Sequence, residues 1–133
     1  MVGMASAFTQ KQKKRPVRRK AKVQDTRVYL VHADVLHFDQ YENPDATILN
    51  GKVHFTHQGA RLYCDSAYFY EASNSFEAFG HVRMYQGDTL SLTSDYAYYD
   101  GNEQMARARY NVVLKNRKTT LYTDSLYYDR IWS

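Results

Sequence analysis

Beyond residue 25 the chain alternates apolar and polar positions in short runs, and no stretch sustains the 3.6-residue period of an amphipathic helix. Two kinds of run recur. In NGKVHF (50–55), FGHVRM (79–84) and RYNVVL (109–114), the pairs Val53/Phe55, Val82/Met84 and Val112/Leu114 sit two apart, so each pair shares one face of a strand. Their neighbours Lys52/His54 and His81/Arg83 are polar, as a half-buried strand with one wet face requires. The second kind is HADVLHFD (32–39), YCDSAYFY (63–70), TSDYAYYD (93–100) and YTDSLYYD (122–129). Here Val31, Leu62, Leu92 and Leu121 stand three residues before an aspartate, whereas Leu36/Phe38, Ala67/Phe69, Ala97/Tyr99 and Leu126/Tyr128 stand two and four after it. An odd offset followed by an even one puts these residues on opposite sides of a flat strand. The pattern therefore predicts a bend or bulge near each aspartate, with the strand turning a corner and keeping its apolar side inward. Asp34, Asp65, Asp95 and Asp124 are the expected structural corners, each accepting backbone N–H groups loosened by the bend.

These runs form a repeat. The aspartates follow one another at intervals of 31, 30 and 29 residues, with a glycine element between successive copies. Gly51 and Gly80 mark that element, and Tyr110 replaces the glycine in the third copy. Turn chemistry closes both kinds of run, at YENPD (41–45), EASN (71–74) and DGNE (100–103), and again at HQG (57–59), QGD (86–88) and NRK (116–118). Strands so closely bounded make antiparallel hairpins or corners. The predicted class is all-β, a repetitive antiparallel jelly roll or taco-like folded sheet of two-strand repeats of about 30 residues. Equivalent residues stack into ladders, and the apolar ladders form a continuous inner wall: Val53, Phe55, Leu62, Phe69, Val82, Met84, Leu92, Leu114, Leu121 and Leu126. The last repeat stops before a fourth glycine element, so a C-terminal truncation is expected, with an exposed edge that invites strand addition.

Composition changes this picture in one respect. Thirteen tyrosines and only two prolines suit pleated surfaces. The net charge of +4, however, is uneven. Residues 11–22 hold eight of the 18 Lys+Arg and none of the 14 Asp+Glu, so the remaining ten and fourteen net −4. The expected organisation is a disordered basic arm over 1–24 and an acidic β-repeat domain over 25–133. Ala5-Ser6-Ala7 has the form of a signal-peptidase site, which makes residues 1–7 a candidate signal-peptide remnant. No apolar run approaches the roughly 20 residues that span a bilayer as a helix.

The repeated shape, apolar–x–x–Asp–x–small or apolar–x–aromatic, then a turn, then Gly–x–Val–x–apolar, resembles the OstA/LptA-like family. It is carried by Leu62/Asp65/Ala67/Phe69, Leu92/Asp95/Ala97/Tyr99, Leu121/Asp124/Leu126/Tyr128, Gly51-Lys-Val53 and Gly80-His-Val82. The resemblance covers about residues 28–129; Tyr110 and the longer first turn (39–46) depart from it. It implies a non-enzymatic periplasmic carrier of lipopolysaccharide, whose inner wall holds lipid A acyl chains. It also implies end-to-end joining with other OstA/LptA-like domains by edge-strand addition, as a homo-oligomer and with an outer-membrane transport component. Elementary energetics agree with such a role: each CH₂ moved from apolar shelter into water costs about 0.8 kcal/mol, so a lipid in transit needs a shielded path.

Other chemistries fare worse. His32 and His37 are five apart, and His54 and His57 three apart, so each pair straddles an extended strand; no metal site is expected. Aspartates repeated once per strand pair are corners, not a catalytic dyad, and no cofactor is expected. Cys64 occupies the small-residue slot also held by Ala33, Ser94 and Thr123, and is expected to be buried and inert. Nucleic acid is not an expected partner, since the aromatics lie on an acidic body that repels phosphate. The alternative function is a ligand-free β-repeat scaffold for envelope assembly, its apolar wall packed as a closed core.

Overall fold

The computed structural model describes residues 26–129. The basic arm, the Ala5-Ser6-Ala7 triplet and the last four residues lie outside them. Eight strands occur among the described residues: β1 (Tyr29–His32), β2 (Val35–His37), β3 (Thr47–His57), β4 (Ala60–Tyr70), β5 (Ser75–Gln86), β6 (Leu90–Asp100), β7 (Met105–Lys115) and β8 (Thr120–Asp129). They form one antiparallel sheet in the order β1-β3-β4-β5-β6-β7-β8, with β2 continuing the edge beside β3. This open, curled all-β sheet is the folded architecture expected from the repeat.

The hairpins follow their turn chemistry. Gln58-Gly59 joins β3 to β4 with both residues at positive φ, the backbone a tight two-residue turn needs. A single 3₁₀ turn, Glu71–Ser73, joins β4 to β5, and Asn74 ends it in the left-handed region. Asp100 caps the next turn by accepting the N–H groups of Asn102 and Glu103.

The register breaks once in every long strand pair, always at the same level. Asn50 and Val53 face Ser66 and Cys64, so Gly51-Lys52 oppose the single residue Asp65. Gly80-His81 oppose Asp95 in the same way, and Tyr110-Asn111 oppose Asp124. A line of bulges thus crosses the sheet and folds it. Side chains from opposite ends of the strands meet inside: Phe55 stacks on Phe76 at 4.1 Å and meets Phe69 edge-on at 5.2 Å. Neither Phe69 nor Phe76 pairs with Phe55 along the ladder, so only folding brings the three rings together.

The crease itself is lined with small side chains. On one side the ladder runs Leu49–Ala67–Ala78–Ala97–Ala108–Leu126, with four alanines in register. Across the crease stand Val53, Cys64, Val82, Ser94 and Val112, all buried. Small residues where the two halves converge, and large ones farther out, are what a wedge-shaped interior requires.

Candidate functional site

The inner surface of this folded sheet is a trough, and the expected inner-wall residues fall along it as follows. Val53, Phe55, Leu62, Phe69, Val82, Met84 and Leu92 are buried. Leu114 and Leu126 are partly buried and pack against the same cluster. Leu121, which pairs with Leu114 on the edge strand, is 46% exposed. Phe55, Leu62, Met84, Leu92, Leu114 and Leu121 form one continuous row in register across six strands.

Filling of the trough is uneven. Toward β3 it is closed by rings: Phe55, Phe69, Phe76 and Tyr99 are all buried, and the space left among Phe55, Leu62, Phe76, Met84 and Tyr99 is about 10 Å³. That is room for about one water molecule, so this end is packed as a core. Toward β8, beyond the buried Leu92, Tyr99 and Ala106, the two rows end in Leu114, Leu121 and Tyr128, and exposure rises.

Residues 26–28 run across the mouth of the trough at the packed end. The Val28 side chain is buried in the core cluster. Its N–H donates to Asn74 Oδ1 at 2.7 Å, while Asn74 Nδ2 donates to the Thr26 carbonyl at 2.6 Å. From the opposite lip, His57 Nε2 donates to the same Thr26 carbonyl at 2.9 Å. Its Nδ1 then accepts the Tyr99 hydroxyl. The strap therefore ties the tips of both halves together. It was not foreseen, because nothing in the segment Thr26-Arg27-Val28 marks it as different from a linker; Tyr99 was legible as an apolar position of the repeat but not as its filling, and Phe76 was not singled out.

Asp65, Asp95 and Asp124 stand opposite the bulges and Asp34 stands against Gly51, with two features that the sequence reading did not contain. First, the extra residue sits on the glycine strand and not beside the aspartate. Gly51 and Gly80 have φ of +84° and +82°, and the Asp34 and Asp65 carboxylates occupy the places their Cβ atoms would take, at 2.5 and 2.6 Å. The aspartate thus fills the space the glycine leaves. Second, the carboxylates of Asp34, Asp65 and Asp95 accept from side chains: His32 Nε2 at 2.9 Å, His81 Nδ1 at 2.7 Å and Asn111 Nδ2 at 2.7 Å. Backbone satisfaction comes instead from the residue before the aspartate. Cys64 Sγ, Ser94 Oγ and Thr123 Oγ1 each donate to the carbonyl two residues on, that of Ser66, Tyr96 and Ser125. In these three copies the small-residue slot is a donor slot, where the bulge removes a ladder partner; Ala33 fills it in the first copy without donating.

Cys64 is buried, and desolvation first of all pushes its thiol up to about 12, which leaves it protonated and inert as a nucleophile. Of the histidines, His57 is buried in the trough lip, whereas His54 lies on the outer face stacked on Tyr63 at 4.2 Å. Desolvation, with Arg61 nearby, lowers the His54 pKa. No group of three or more metal-ligating side chains occurs among the described residues.

No curated protein matches the chain. The model of the family described as OstA-like protein matches residues 25–133. A repeat that places one bulge and one aspartate at each crossing of the crease, and a family match that spans the whole repeat region, agree: the chain belongs to the OstA-like protein family.

Proposed function

We propose that this domain is a non-catalytic, periplasmic lipid-binding carrier or bridge module in lipopolysaccharide transport, and that acyl chains enter the trough at its β8 end. The OstA-like family is a transport and binding family of the envelope, which supplies the general role. No helix among the described residues is long and apolar enough to cross a membrane. The observation that carries the finer reading is the row Leu92–Leu114–Leu121, which continues the buried row of the core out to an edge strand where it is no longer covered. An apolar wall leaving a core toward an unpaired edge offers shelter to acyl chains and a strand to which another OstA-like domain, a second copy or the outer-membrane component, can add.

A second reading has its own observation. The ring cluster at the β3 end leaves no ligand-sized space, as a ligand-free envelope scaffold would have throughout. Photocrosslinking separates the two. A photoreactive residue is placed at Leu121, Leu114, Met84, Phe69 and Phe55 in turn, with the outward-facing Lys52 and Arg83 as controls, in cells making lipopolysaccharide. The carrier reading expects lipid adducts at Leu121 and Leu114 and none at the controls. Absence of adducts at every inner position would leave the scaffold.

A further inference from the structure

The charges of the sheet are sorted by half. On the side of the crease that ends in the turns at 57–60, 86–90 and 115–120, residues 52–64, 82–94 and 112–123 hold six Lys+Arg: Lys52, Arg61, Arg83, Lys115, Arg117 and Lys118. The one carboxylate among them is Asp88. Residues 26–129 as a whole hold nine Lys+Arg and 13 Asp+Glu, so the rest of the described chain carries three against twelve. Two rows in register present the basic half on the outer face across six strands. One is His54–Tyr63–Arg83–Thr93–Val113–Tyr122; the other, nearer the turns, is Thr56–Arg61–Tyr85–Ser91–Lys115–Thr120. They alternate with the buried Phe55, Leu62, Met84 and Leu92 and so point away from the trough. Six strands span about 24 Å at ordinary strand spacing. Arg117 and Lys118 extend the cationic edge from the turn between β7 and β8.

Cations and rings interleave on this half. Arg83 lies 5.4 Å from the Tyr63 centroid, Arg61 lies 5.3 Å from that of Tyr85, and His54 stacks on Tyr63 at 4.2 Å. Both arginines are exposed, so a guanidinium resting on a ring keeps terminal N–H groups for an outside anion. The acidic half does not cancel them. Six residues, or about 20 Å of strand with the bend between, separate Arg83 from Glu77, well beyond a Debye length of about 8 Å at physiological salt. On the crease itself, Asp65 and Asp95 are engaged by His81 and Asn111. Tyrosine beside arginine and lysine suits the head-group layer of a bilayer. There a ring takes the apolar boundary, its hydroxyl the water, and the cations the phosphates. A single-stranded nucleic acid would need free ring faces for its bases, and the two central rings already carry His54, Arg83 and Arg61.

We propose that the basic half of the outer face docks on the surface of an anionic phospholipid bilayer. Arg61, Arg83, Lys115, Arg117 and Lys118 meet the phosphates, and Tyr63, Tyr85 and Tyr122 lie at head-group level. The contact uses the outside of the sheet and needs no acyl chain in the trough, so it and the carrier reading can fail separately.

The test uses the full 133-residue chain. Its segment 11–22 would itself bind anionic vesicles, so the eight Lys and Arg there are changed to Gln in every protein compared. Co-sedimentation is measured with vesicles of phosphatidylcholine alone and of phosphatidylcholine and phosphatidylglycerol in equal parts. Saturable binding is expected to the mixed vesicles only, and should weaken as salt is raised. At about fivefold per cation, R61Q/R83Q should bind about 25-fold more weakly. R107Q/R109Q, on the acidic half, should bind as the parent does. All four arginines are exposed, so both variants should fold. Head-group spin-labelled phospholipid locates the contact without them, and should broaden the NMR signals of Tyr63, Tyr85 and Val113 but not of Tyr98. No binding to the mixed vesicles, an undiminished R61Q/R83Q variant, or broadening centred on Tyr98 would overturn the proposal. So would self-association without vesicles that R61Q/R83Q abolishes, which would assign this half to a second copy. Duplex DNA held as tightly as the mixed vesicles at the same salt would also overturn it, making the face a general polyanion surface.

Discussion

The two ends of the trough are built from the same repeat and yet differ in kind. At the β3 end Phe55, Phe69, Phe76 and Tyr99 meet face to face and edge to face, and the Thr26–Val28 strap closes the mouth over them. At the β8 end the corresponding rungs hold Leu114, Leu121, Ala106 and Tyr128, and Leu121 is nearly half exposed. A folded strand pair always makes a wedge; whether the wedge is a core or a groove depends on ring volume at one rung. Three phenylalanines and a tyrosine make it a core. A buried alanine, two leucines and a half-buried tyrosine leave the end of the row exposed.

The largest test of that contrast is a pair of truncations. Phe76→Ala removes a buried ring stacked on Phe55 and should cost about 3–5 kcal/mol in a denaturant melt, from lost transfer energy and the cavity left behind. Leu121→Ala, at the same level of the trough but on the open edge, should cost under about 1 kcal/mol. Equal losses would mean that the β8 end is as tightly packed as the β3 end, and the contrast would collapse.

The crease offers a second, intermediate test. Gly80→Val puts a side chain where φ is +82° and where the Asp65 carboxylate already stands, so a loss of about 2–3 kcal/mol is expected. Tyr110 occupies the equivalent place in the third copy at φ +70°, with its ring exposed. Tyr110→Gly should therefore be neutral or stabilising by up to about 1 kcal/mol, since relief of the left-handed tyrosine is offset by a more flexible unfolded chain. The same denaturant melts decide this, and a destabilised Tyr110→Gly variant would show that the ring contributes more than its backbone costs.

The smallest effect separates the second and third crossings of the crease by pH. Asp65 is partnered by His81, and Asp95 by Asn111, which does not titrate. The hydrogen bond to Asp65, then its charge, raises the His81 pKa above the ordinary histidine value. A raised folded-state pKa stabilises the fold below the unfolded value, and that contribution is lost as pH rises through the folded one. Both partners are exposed, so the effect should be small and should fade with salt. His81→Asn should flatten the melting temperature between about pH 6 and 8, and an unchanged slope would remove His81 as its source.

The repeat was legible because it obeys two simple periods. Alternation placed Val53/Phe55 and Val82/Met84 on one face, and the odd-to-even switch around Asp65 and Asp95 announced a fold in each strand. Gly51 and Gly80 were visible as backbone exceptions, but not which strand would carry the extra residue, because that depends on the partner across the ladder. The donor role of Cys64, Ser94 and Thr123 was likewise invisible: it exists only because a bulge strips a carbonyl of its partner.

By itself, then, the sequence determined an antiparallel repeat with an apolar inner face and a crease at every aspartate, since side-chain alternation and turn chemistry act over a few residues. Tertiary structure alone decided that Phe55 meets Phe76, that Thr26 to Val28 bridge two lips, and that the apolar row is buried at one end and exposed at the other. Those contacts join residues 21 to 48 positions apart, and their outcome depends on how volumes add in space, which no local pattern encodes.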